Sequence, residues 1–306
     1  MIVVCGEILI DLVPERAGGA YAARAGGGPA NVAVGLGRLG VDVAFLGRLA
    51  QDRFGALLRD HLHASRVGLD LVVRPPAPTT LAVVNLDPAG GATYDFYVDG
   101  CADGTWHPEE LPETLGAAGA LHVSGSLALA VPTMGVALDL LLTREQPQRV
   151  ITFDPNIRPS LVRDEAAVRA RLARWLGLAD LVKASEEDLA WVAPGQPVEA
   201  TARQWRELGP ALVVVTRGGK GVYALGPAGP VDLPTEPVTI VDTVGAGDAF
   251  MSGLLAALDQ QGWLTRPALA GLTLAQVADA LAFAQRVAVV TCTRVGADPP
   301  WRDELT

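Results

Sequence analysis

The amino-acid sequence predicts an α/β protein built on a doubly wound, mostly parallel β-sheet with helices on both faces. Short apolar runs typical of buried parallel strands recur at Ile2–Cys5, Val43–Leu46, Ala120–Val123, Val150–Phe153, Leu181–Lys183 and Leu212–Thr216. Segments with helical spacing of apolar residues lie between them, for instance at Pro29–Leu39, Phe54–Ala64, Pro132–Leu142 and Ala166–Leu176. Strands that alternate with helices in this way form βαβ units, in which successive strands run parallel.

Three further segments interrupt that alternation and predict a second, small β-sheet. Thr80–Asp87 and Ala92–Val98 alternate apolar and polar residues, which is the pattern of a half-buried strand. Asp87-Pro88-Ala89-Gly90-Gly91 joins them and has the composition of a hairpin turn. Ile10–Val13 is the third candidate strand of this small sheet.

Composition and charge exclude several classes of protein. The chain has 306 residues, of which 50% are apolar and 19% charged, so it can bury a large core and is not disordered. Its formal net charge of −10 argues against nucleic acid or an anionic membrane as a partner. The cysteines, Cys5, Cys101 and Cys292, are widely spaced and form no zinc or redox motif. Because the chain also opens on an apolar strand without the layout of a signal peptide, we expect a cytoplasmic protein.

One uncharged stretch, Leu115 to Leu138, is long enough in principle to span a bilayer. It is interrupted by residues that favour turns or carry polar groups, namely Gly116, Gly119, His122, Ser124, Gly125, Ser126, Pro132 and Gly135. We therefore expect it to form a short strand, a loop and the start of a helix within a buried α/β core.

A glycine pattern near the N-terminus matches a dinucleotide-binding motif but has the wrong context. Gly35-Leu36-Gly37-Arg38-Leu39-Gly40 fits GxGxxG, and Asp60 follows about 20 residues later. A dinucleotide site requires these glycines between a strand and the start of a helix. Here they end a helical segment and precede a strand at Val41–Leu46, so Gly40 fits a helix C-cap instead. A GxxxxGK[ST] sequence is absent as well, so neither an NAD site nor a P-loop is predicted.

The most informative stretch is Thr243-Val244-Gly245-Ala246-Gly247-Asp248-Ala249-Phe250, in which small residues directly precede a carboxylate. If Gly245-Ala246-Gly247 opens a helix, its free N–H groups and the positive end of the helix dipole form a pocket for an anion. Asp248 then lies in the first turn, where it can take the proton of a hydroxyl that attacks a phosphoryl group. An acidic residue that merely complements the helix dipole explains the same pattern, and the residues alone leave both interpretations open.

Two segments far apart in the sequence resemble the ribokinase-like, pfkB-type family of sugar kinases. Val241–Phe250 is similar to the C-terminal signature of that family, and Gly26–Gly40 is similar to its N-terminal signature. Within the family, Gly6–Pro14 and Asp154–Pro159 are most similar to the corresponding segments of bacterial fructokinases.

The resemblance implies a fold and a reaction. One ribokinase-like domain spans residues 1–306, and segments of about 10–25 and 79–104 form a β-sheet lid over the sugar. The implied reaction is ATP- and Mg²⁺-dependent phosphorylation of D-fructose to fructose 6-phosphate, with Asp248 as base and the Gly245-Ala246-Gly247 amides as anion hole. The alternatives are a 2-keto-3-deoxygluconate kinase, another sugar kinase of the family, or a catalytically silent sugar-binding protein. A homodimer through the lid sheets would cover their exposed edges.

The resemblance also implies which residues bind the sugar. They are Asp11, Gly27, Gly28, Asn31, Phe96, Tyr97 and Arg158. Carboxylates and amides suit a sugar because its hydroxyls both donate and accept hydrogen bonds. Asn31 can instead be a helix N-cap, because it follows Pro29, and Phe96 and Tyr97 can simply pack the hairpin. Arg158 follows an apolar strand, at the sheet edge where doubly wound folds bind ligands.

A further set of residues is implied for the nucleotide and its ions. Those expected at ATP are Lys183, Ser185, Thr216, Gly218 and Gly221. The last three belong to Thr216–Gly221, which resembles a Thr-x-Gly-x-x-Gly turn of the family. Asp188 aligns with a residue that organises Mg²⁺ through water, although a capped acidic first turn of a surface helix gives the same pattern. Asp242 and the loop Thr293–Ala297 match a monovalent-cation loop, which suggests stimulation by K⁺.

One position is expected to separate fructose from the sugar acid. A kinase for 2-keto-3-deoxygluconate must neutralise a carboxylate, for which arginine is the natural partner. In those relatives an arginine follows the aromatic pair of the lid hairpin, whereas Val98 and then Asp99 stand there in this chain. We therefore expect fructose to be preferred, although Arg158 can partly compensate.

Overall fold

The computed structural model describes residues 1–15, 19–86, 92–235 and 237–305, which form one large and one small β-sheet with surrounding helices. The strands are β1 (Ile2–Cys5), β2 (Leu9–Pro14), β3 (Tyr21–Gly26), β4 (Val43–Leu46), β5 (Leu81–Leu86), β6 (Ala92–Tyr97), β7 (Ala120–Ser124), β8 (Val150–Asp154), β9 (Leu181–Ser185), β10 (Leu212–Thr216), β11 (Val222–Gly226) and β12 (Gly229–Leu233). The helices are α1 (Gly28–Arg38), α2 (Arg53–Ala64), α3 (Ser126–Ala130), α4 (Pro132–Glu145), α5 (Glu165–Leu178), α6 (Glu186–Val192), α7 (Val198–Leu208), α8 (Ala246–Gln260), α9 (Arg266–Ala270) and α10 (Leu274–Cys292).

The large sheet has the strand order β12-β11-β10-β9-β8-β7-β1-β4. From β10 to β4 each strand is parallel to its neighbour, whereas β11 and β12 are antiparallel additions at one edge. Every residue of β1, β4, β7 and β8 is buried, as expected for parallel strands covered on both faces. The predicted fold class is therefore confirmed.

Helices cover both faces of this sheet through two apolar clusters. One cluster contains residues of α1, α8 and α10, and the other contains residues of α4, α5 and α7. The uncharged stretch from Leu115 to Leu138 forms β7, α3 and the start of α4. The strand and the helix start were predicted, whereas the short helix α3 lies where a loop was expected. Within the described residues, α10 is the one helix long and apolar enough by composition to cross a bilayer. It packs on α8 and places Val277, Leu281 and Val287 in the first cluster, which is typical of a core helix.

The small sheet has the strand order β3-β2-β5-β6. β2 is antiparallel to β3 and parallel to β5, and β5 is antiparallel to β6. The three strands expected here from alternation are confirmed, while the hairpin turn expected at 87–91 lies outside the described residues. β3 was not predicted as a strand, because Tyr21-Ala22-Ala23-Arg24-Ala25-Gly26 is rich in alanine and lacks β-branched residues.

The glycines of the GxGxxG pattern end α1, as the sequence context predicted. Gly40 has φ +80, and its N–H donates to the Gly37 carbonyl, while Val41 N–H donates to the Leu36 carbonyl at 3.0 Å. This arrangement is a Schellman C-cap, in which glycine takes the left-handed conformation at low cost. Strand β4 follows directly, so the motif does not form a dinucleotide site.

Candidate active site

Asp248 lies in the first turn of α8, directly after the small residues that open this helix. Gly245 is the N-cap and has φ +73, and a β-carbon there would lie 2.5 Å from the Ala297 Cβ, so only glycine fits. The Ala246 N–H donates to the Thr243 carbonyl at 3.2 Å and so closes the turn. Among the described residues, the N–H groups of Gly245 and Gly247 have no acceptor, which leaves two of the three predicted amides free for an anion.

The Asp248 carboxylate is held at one oxygen and free of protein hydrogen bonds at the other. Asn31 Nδ2 donates to Asp248 Oδ2 at 2.9 Å, and both residues are 8% exposed. Burial raises the pKa of Asp248 to about 6, although the Asn31 hydrogen bond and the positive charge of Lys183 lower it. A buried carboxyl group with a pKa of about 6 is ionised at neutral pH and is therefore suited to act as a general base.

A buried ion pair lies beside the N-terminus of α8. Lys183 Nζ donates to Asp154 Oδ2 at 2.7 Å, and a β-carbon on Gly247 would lie 3.1 Å from the same Nζ atom. Burial lowers the pKa of Lys183, but the Asp154 carboxylate outweighs it and the net shift is upward. Lys183 therefore remains a cation next to the free amides, where it adds positive potential for an anionic group.

Asp11 and Arg158 lie near Asp248. A β-carbon on Gly26 would lie 2.1 Å from Asp11 Oδ2, so the carboxylate of Asp11 lies directly over this glycine. Burial and the negative charge of Asp248 raise the pKa of Asp11 to about 7, while Arg158 lowers it. Arg158 is half-buried, and no carboxylate of the described residues forms an ion pair with it. Its charge is thus available to a ligand.

The glycine loop before α1 brings the backbone close to Asp248. Gly27 is the N-cap of α1 with φ +101, and a β-carbon there would lie 2.7 Å from the Glu7 carbonyl oxygen. A β-carbon on Gly28 would lie 3.2 Å from Asp248 Oδ1. The alternative interpretation of Asn31 as an N-cap is wrong, because the helix begins at Gly28 and the Asn31 side chain contacts Asp248 instead.

The aromatic residues of β6 divide between the two faces of the small sheet. Tyr94 and Phe96 are partly buried and stacked, with ring centroids 5.9 Å apart, and they pair with the buried residues Val84 and Ala82. Tyr97 lies on the opposite face and is 59% exposed, because successive residues of a strand alternate between faces. The expectation that Tyr97 closes over the sugar is therefore corrected.

Tyr94, and not Tyr97, shares a face of β6 with Phe96. Burial raises the pKa of its phenol, and the charges of Asp11 and Asp248 raise it further, which places the ring near these carboxylates. The alternation of β6 carried this information, since Tyr94 precedes Phe96 by two residues and shares its face.

Asp188 and Ser185 form the capping box of α6. The Ser185 N–H and Oγ donate to Asp188 Oδ2 at 2.8 and 2.7 Å, and the Ile157 N–H donates to Asp188 Oδ1 at 2.6 Å. These hydrogen bonds cap the first turn of α6. Because Asp188 is only 4% exposed, its carboxylate is buried and does not lie at the surface. These contacts agree with the alternative interpretation of a capped first turn, and both carboxylate oxygens are already occupied by donors.

The predicted nucleotide turn lies at the carboxyl end of β10. Gly218–Lys220 forms a 3₁₀ turn in which Gly218 has φ +54, and Gly221 follows with φ +100. Thr216 Oγ1 donates to the Ala184 carbonyl at 3.4 Å, which ties the turn to β9. A β-carbon on Gly218 would meet nothing within 4 Å, so the backbone here is open to a ligand.

The predicted cation loop lies next to the start of α8. Asp242 Oδ2 accepts from the Gly296 N–H at 2.8 Å, and Asp242 Oδ1 accepts from the Val244 N–H at 3.0 Å. The carboxylate of Asp242 thus joins the loop before α8 to the loop that follows α10. In the part of the chain that is described, however, no cluster of three or more histidine, cysteine or acidic residues could hold a metal ion.

Val98 directly follows β6 and is buried in the apolar cluster against which Tyr94 and Phe96 pack. It is 7% exposed and belongs to the second apolar cluster, and a β-carbon on Gly104 would lie 2.1 Å from its carbonyl oxygen. The position at which kinases for the sugar acid have an arginine is thus occupied by a buried apolar side chain. The preference for fructose that this difference indicates stays a prediction.

The arrangement of free amides, a cation and a buried base at one helix terminus agrees with a comparison against known families. A family model described as pfkB family carbohydrate kinase matches residues 1–304. The chain belongs to the pfkB family of carbohydrate kinases. The resemblance noted in the sequence is thereby confirmed across almost the whole chain.

Individual relatives match this pfkB kinase over most of both chains, and the solved structures among them share its fold. It is 40% identical over 275 residues to a fructokinase of Rhizobium leguminosarum bv. trifolii, covering 89% of this chain and 84% of the relative. A fructokinase of Xylella fastidiosa with bound ATP has a TM-score of 0.91 and 31% identity, with 99% and 96% of the two chains covered. A fructokinase of Vibrio cholerae O395 with fructose, ADP and calcium ion bound has a TM-score of 0.83 and 30% identity, with 97% and 94% covered. The chain is an ATP-dependent carbohydrate kinase.

Proposed function

We propose that this kinase transfers the γ-phosphoryl group of ATP to the primary hydroxyl of D-fructose and forms fructose 6-phosphate. The observation that carries the proposal is the first turn of α8, where the free amides of Gly245 and Gly247 lie beside the buried carboxylate of Asp248. The similarity to fructokinases over at least 84% of their length supports fructose as the sugar.

The geometry supports a role for Asp248 as general base. Its Oδ2 atom is fixed by Asn31, and its Oδ1 atom faces the space above Gly28. In the proposed step Oδ1 takes the proton of the sugar hydroxyl, whose oxygen then forms a bond to the γ-phosphorus. The bond from that phosphorus to the bridging oxygen of ATP breaks, and ADP leaves.

Charge on the transferring group is stabilised from the opposite side of the site. The Gly245 and Gly247 amides can donate to phosphoryl oxygens at the positive end of the α8 dipole. Lys183, held by Asp154 at 2.7 Å, adds a fixed positive charge next to Gly247. We further propose that the backbone of Gly218 contacts the nucleotide, because nothing lies within 4 Å of a β-carbon there and open glycine backbone lets phosphates or a ribose approach closely. The expectation for Gly221 is corrected, because a β-carbon on Gly221 would lie 2.0 Å from the Leu233 carbonyl oxygen, so this glycine packs against β12 instead.

The described residues do not form a protein-held magnesium site. The oxygens of Asp188 accept three hydrogen bonds from the protein, and no acidic cluster replaces it. We therefore assign no protein ligand to the ion. Mg²⁺ commonly binds substrate phosphates and keeps several waters, and in phosphoryl transfer it neutralises charge on the β and γ oxygens. The Asp242 loop stays our proposal for a monovalent cation, with backbone carbonyls as the ligands.

The small sheet is proposed as the lid of the sugar site. Asp11, Tyr94 and Phe96 share one of its faces, and Arg158 completes a ring of polar and aromatic groups suited to a sugar. The edge strands β3 and β6 have unpaired outer edges within the described residues, and a second copy of the chain could cover them in a homodimer.

Arg158 also favours a second candidate, 2-keto-3-deoxygluconate. Its guanidinium has no ion-pair partner in the described part of the chain, so it can neutralise the carboxylate of a sugar acid. The experiment that tests the proposal measures ADP release across a panel of free sugars with ATP and Mg²⁺. We expect fructose to give the highest kcat/KM. A preference for the sugar acid would replace the substrate, and sugar binding without any turnover would identify a catalytically silent protein.

A further inference from the structure

The turn that opens α8 rests on the loop that follows α10. A β-carbon on Gly245 would lie 2.5 Å from the Ala297 Cβ and 2.9 Å from the Ala297 Cα, so Ala297 packs directly against the N-cap of this helix. The Gly245 N–H is one of the two amides that have no acceptor among the described residues. A displacement of Ala297 would therefore move a donor of the proposed anion hole.

The residues directly after Ala297 are held by the end of α1. Arg38, the last residue of that helix, donates from Nη1 to Asp298 Oδ1 at 2.5 Å and to the Pro299 carbonyl at 2.6 Å. Both bonds have a charged donor and are therefore of the stronger, charge-assisted kind. The Arg38 side chain is 12% exposed, which shields the pair from water on that side. One guanidinium group thus ties two successive residues of this segment to α1.

Further contacts make this segment compact. The Trp301 ring lies within cation–π distance of two guanidinium groups, with its centroid 5.5 Å from the Arg38 Cζ and 5.1 Å from the Arg66 Cζ. Glu304 accepts the Trp301 N–H at 2.7 Å and also pairs with Arg294 at 2.7 Å, in the loop before Ala297. The segment is therefore fastened on both sides of Ala297, and α1 provides its external anchor.

Helix α1 contacts both functional parts of the site. Asn31 donates to Asp248 Oδ2 at 2.9 Å, and Arg38 follows seven residues later on the same helix. Seven residues are about two helical turns, or about 10 Å, so the two side chains project from nearly the same face of α1. One rigid helix thus holds the carboxylate through one contact and the support of the Gly245 amide through another.

We propose that Arg38 is a positioning residue, which sets where the Gly245 amide lies relative to the Asp248 carboxylate. It acts through residues 297–299 and does not contact the substrate. The inference rests on the proposed function, in which this amide stabilises the transferring phosphoryl group. Catalysis of this kind depends on geometry, and a displacement of about 1 Å can lower the rate about 10²-fold.

The test measures kcat and KM for Arg38→Met, Asp298→Ala and the double variant, with the sugar that the unchanged protein phosphorylates best. Methionine keeps an unbranched apolar stem but lacks the guanidinium. We expect kcat to fall at least tenfold in Arg38→Met and at least threefold in Asp298→Ala, with KM for sugar and ATP within about threefold. The double variant should be no slower than Arg38→Met, because both substitutions remove the same contact.

Arg169→Met is the matched control. Arg169 pairs with Glu165 at 2.7 Å, donates to the carbonyls of Val192 and Trp191 at 2.9 and 3.0 Å, and lies 4.4 Å from the centroid of the Trp191 ring. It therefore makes the same kinds of contact as Arg38, but from α5, which belongs to the apolar cluster on the other face of the large sheet. We expect Arg169→Met to lower Tm and to leave kcat unchanged.

The outcomes separate a positioning role from a structural one. If Arg38→Met loses Tm as Arg169→Met does but keeps kcat within threefold, Arg38 is structural and the inference is overturned. Losses of kcat that multiply in the double variant would also overturn it. Should Arg38→Met fail to fold, Asp298→Ala decides alone, and an unchanged kcat rejects the inference. An unchanged kcat in Gly245→Ala would instead contradict the anion hole of the proposed function.

Discussion

Asn31 and Asp248 are 217 residues apart in the sequence and are joined by a hydrogen bond of 2.9 Å from Asn31 Nδ2 to Asp248 Oδ2. The bond connects α1 to α8, which pack against each other. It turns the N-terminal glycine-rich segment and the C-terminal small-residue segment into parts of one site. With Oδ2 occupied, Oδ1 is the oxygen left to take a proton at the space above Gly28.

The first prediction concerns the pH dependence of turnover in Asn31→Ala. The pKa of Asp248 is about 6 and the Asn31 hydrogen bond lowers it, so removing this donor raises the pKa further. The base must be ionised to act, so kcat/KM falls as pH drops through the pKa of the free enzyme. We expect the acidic limb of kcat/KM against pH to lie near 6 in the unchanged protein and at higher pH in the variant. An unmoved limb, or one at lower pH, would contradict this role of Asn31.

A second prediction concerns the start of α8. Gly245→Ala places a methyl group at φ +73 and within 2.5 Å of the Ala297 Cβ, so the turn must shift and move the free amides. We expect kcat to fall at least tenfold and stability to fall by about 1–2 kcal/mol. Gly119→Ala is the control, because Gly119 has no positive φ and nothing within 4 Å of its β-carbon position. Equal effects of the two substitutions on kcat would count against the anion hole.

The third prediction concerns how the ionisation of Glu7 makes the stability of the fold depend on pH. Glu7 is 2% exposed, and its Oε2 atom has no hydrogen-bond partner. Burial and the charge of Asp103 raise the pKa of Glu7 from its ordinary value of 4.5 to about 8 in the folded protein. Between these values the folded state holds a proton that the unfolded state has lost, so stability falls as pH rises through this window.

In Glu7→Gln the glutamine side chain cannot ionise, so the stability of this variant does not fall with pH for that reason. We expect the free energy of unfolding of the variant, relative to the unchanged protein, to increase between pH 5 and pH 9 by up to a few kcal/mol, since one pKa unit corresponds to about 1.4 kcal/mol. Urea unfolding at the two pH values measures the difference. Glu113→Gln, at an exposed position, should show little change. A Glu7→Gln difference that is the same at both pH values would mean that this carboxyl group is not destabilised by burial.

The parallel strands and the position of Asp248 could be predicted because each depends on a local pattern. Apolar runs mark buried strands, and small residues before an acid mark the first turn of a helix. The placement of Gly40 as a C-cap followed in the same way from the strand after it. These features need only neighbours in the sequence.

The contacts that complete the site could not be predicted in this way. Asn31 was expected to contact the sugar or cap a helix, and its bond to Asp248 depends on how α1 packs against α8. Tyr97 is a different case: it was expected beside Phe96, although strand alternation places neighbouring residues of β6 on opposite faces and leaves Tyr97 exposed.

The central claim is that Asp248 accepts the proton of the sugar hydroxyl, and Asp248→Asn tests it most directly. Asparagine keeps the shape and can still accept the Asn31 hydrogen bond, but it cannot take up the proton. We expect kcat for phosphorylation of fructose to fall by about 10²–10⁴ while ATP and fructose bind within about threefold of the unchanged protein. Asp60→Asn, at an exposed position on α2, should leave kcat unchanged. Turnover of Asp248→Asn within about threefold of the unchanged protein would contradict the account.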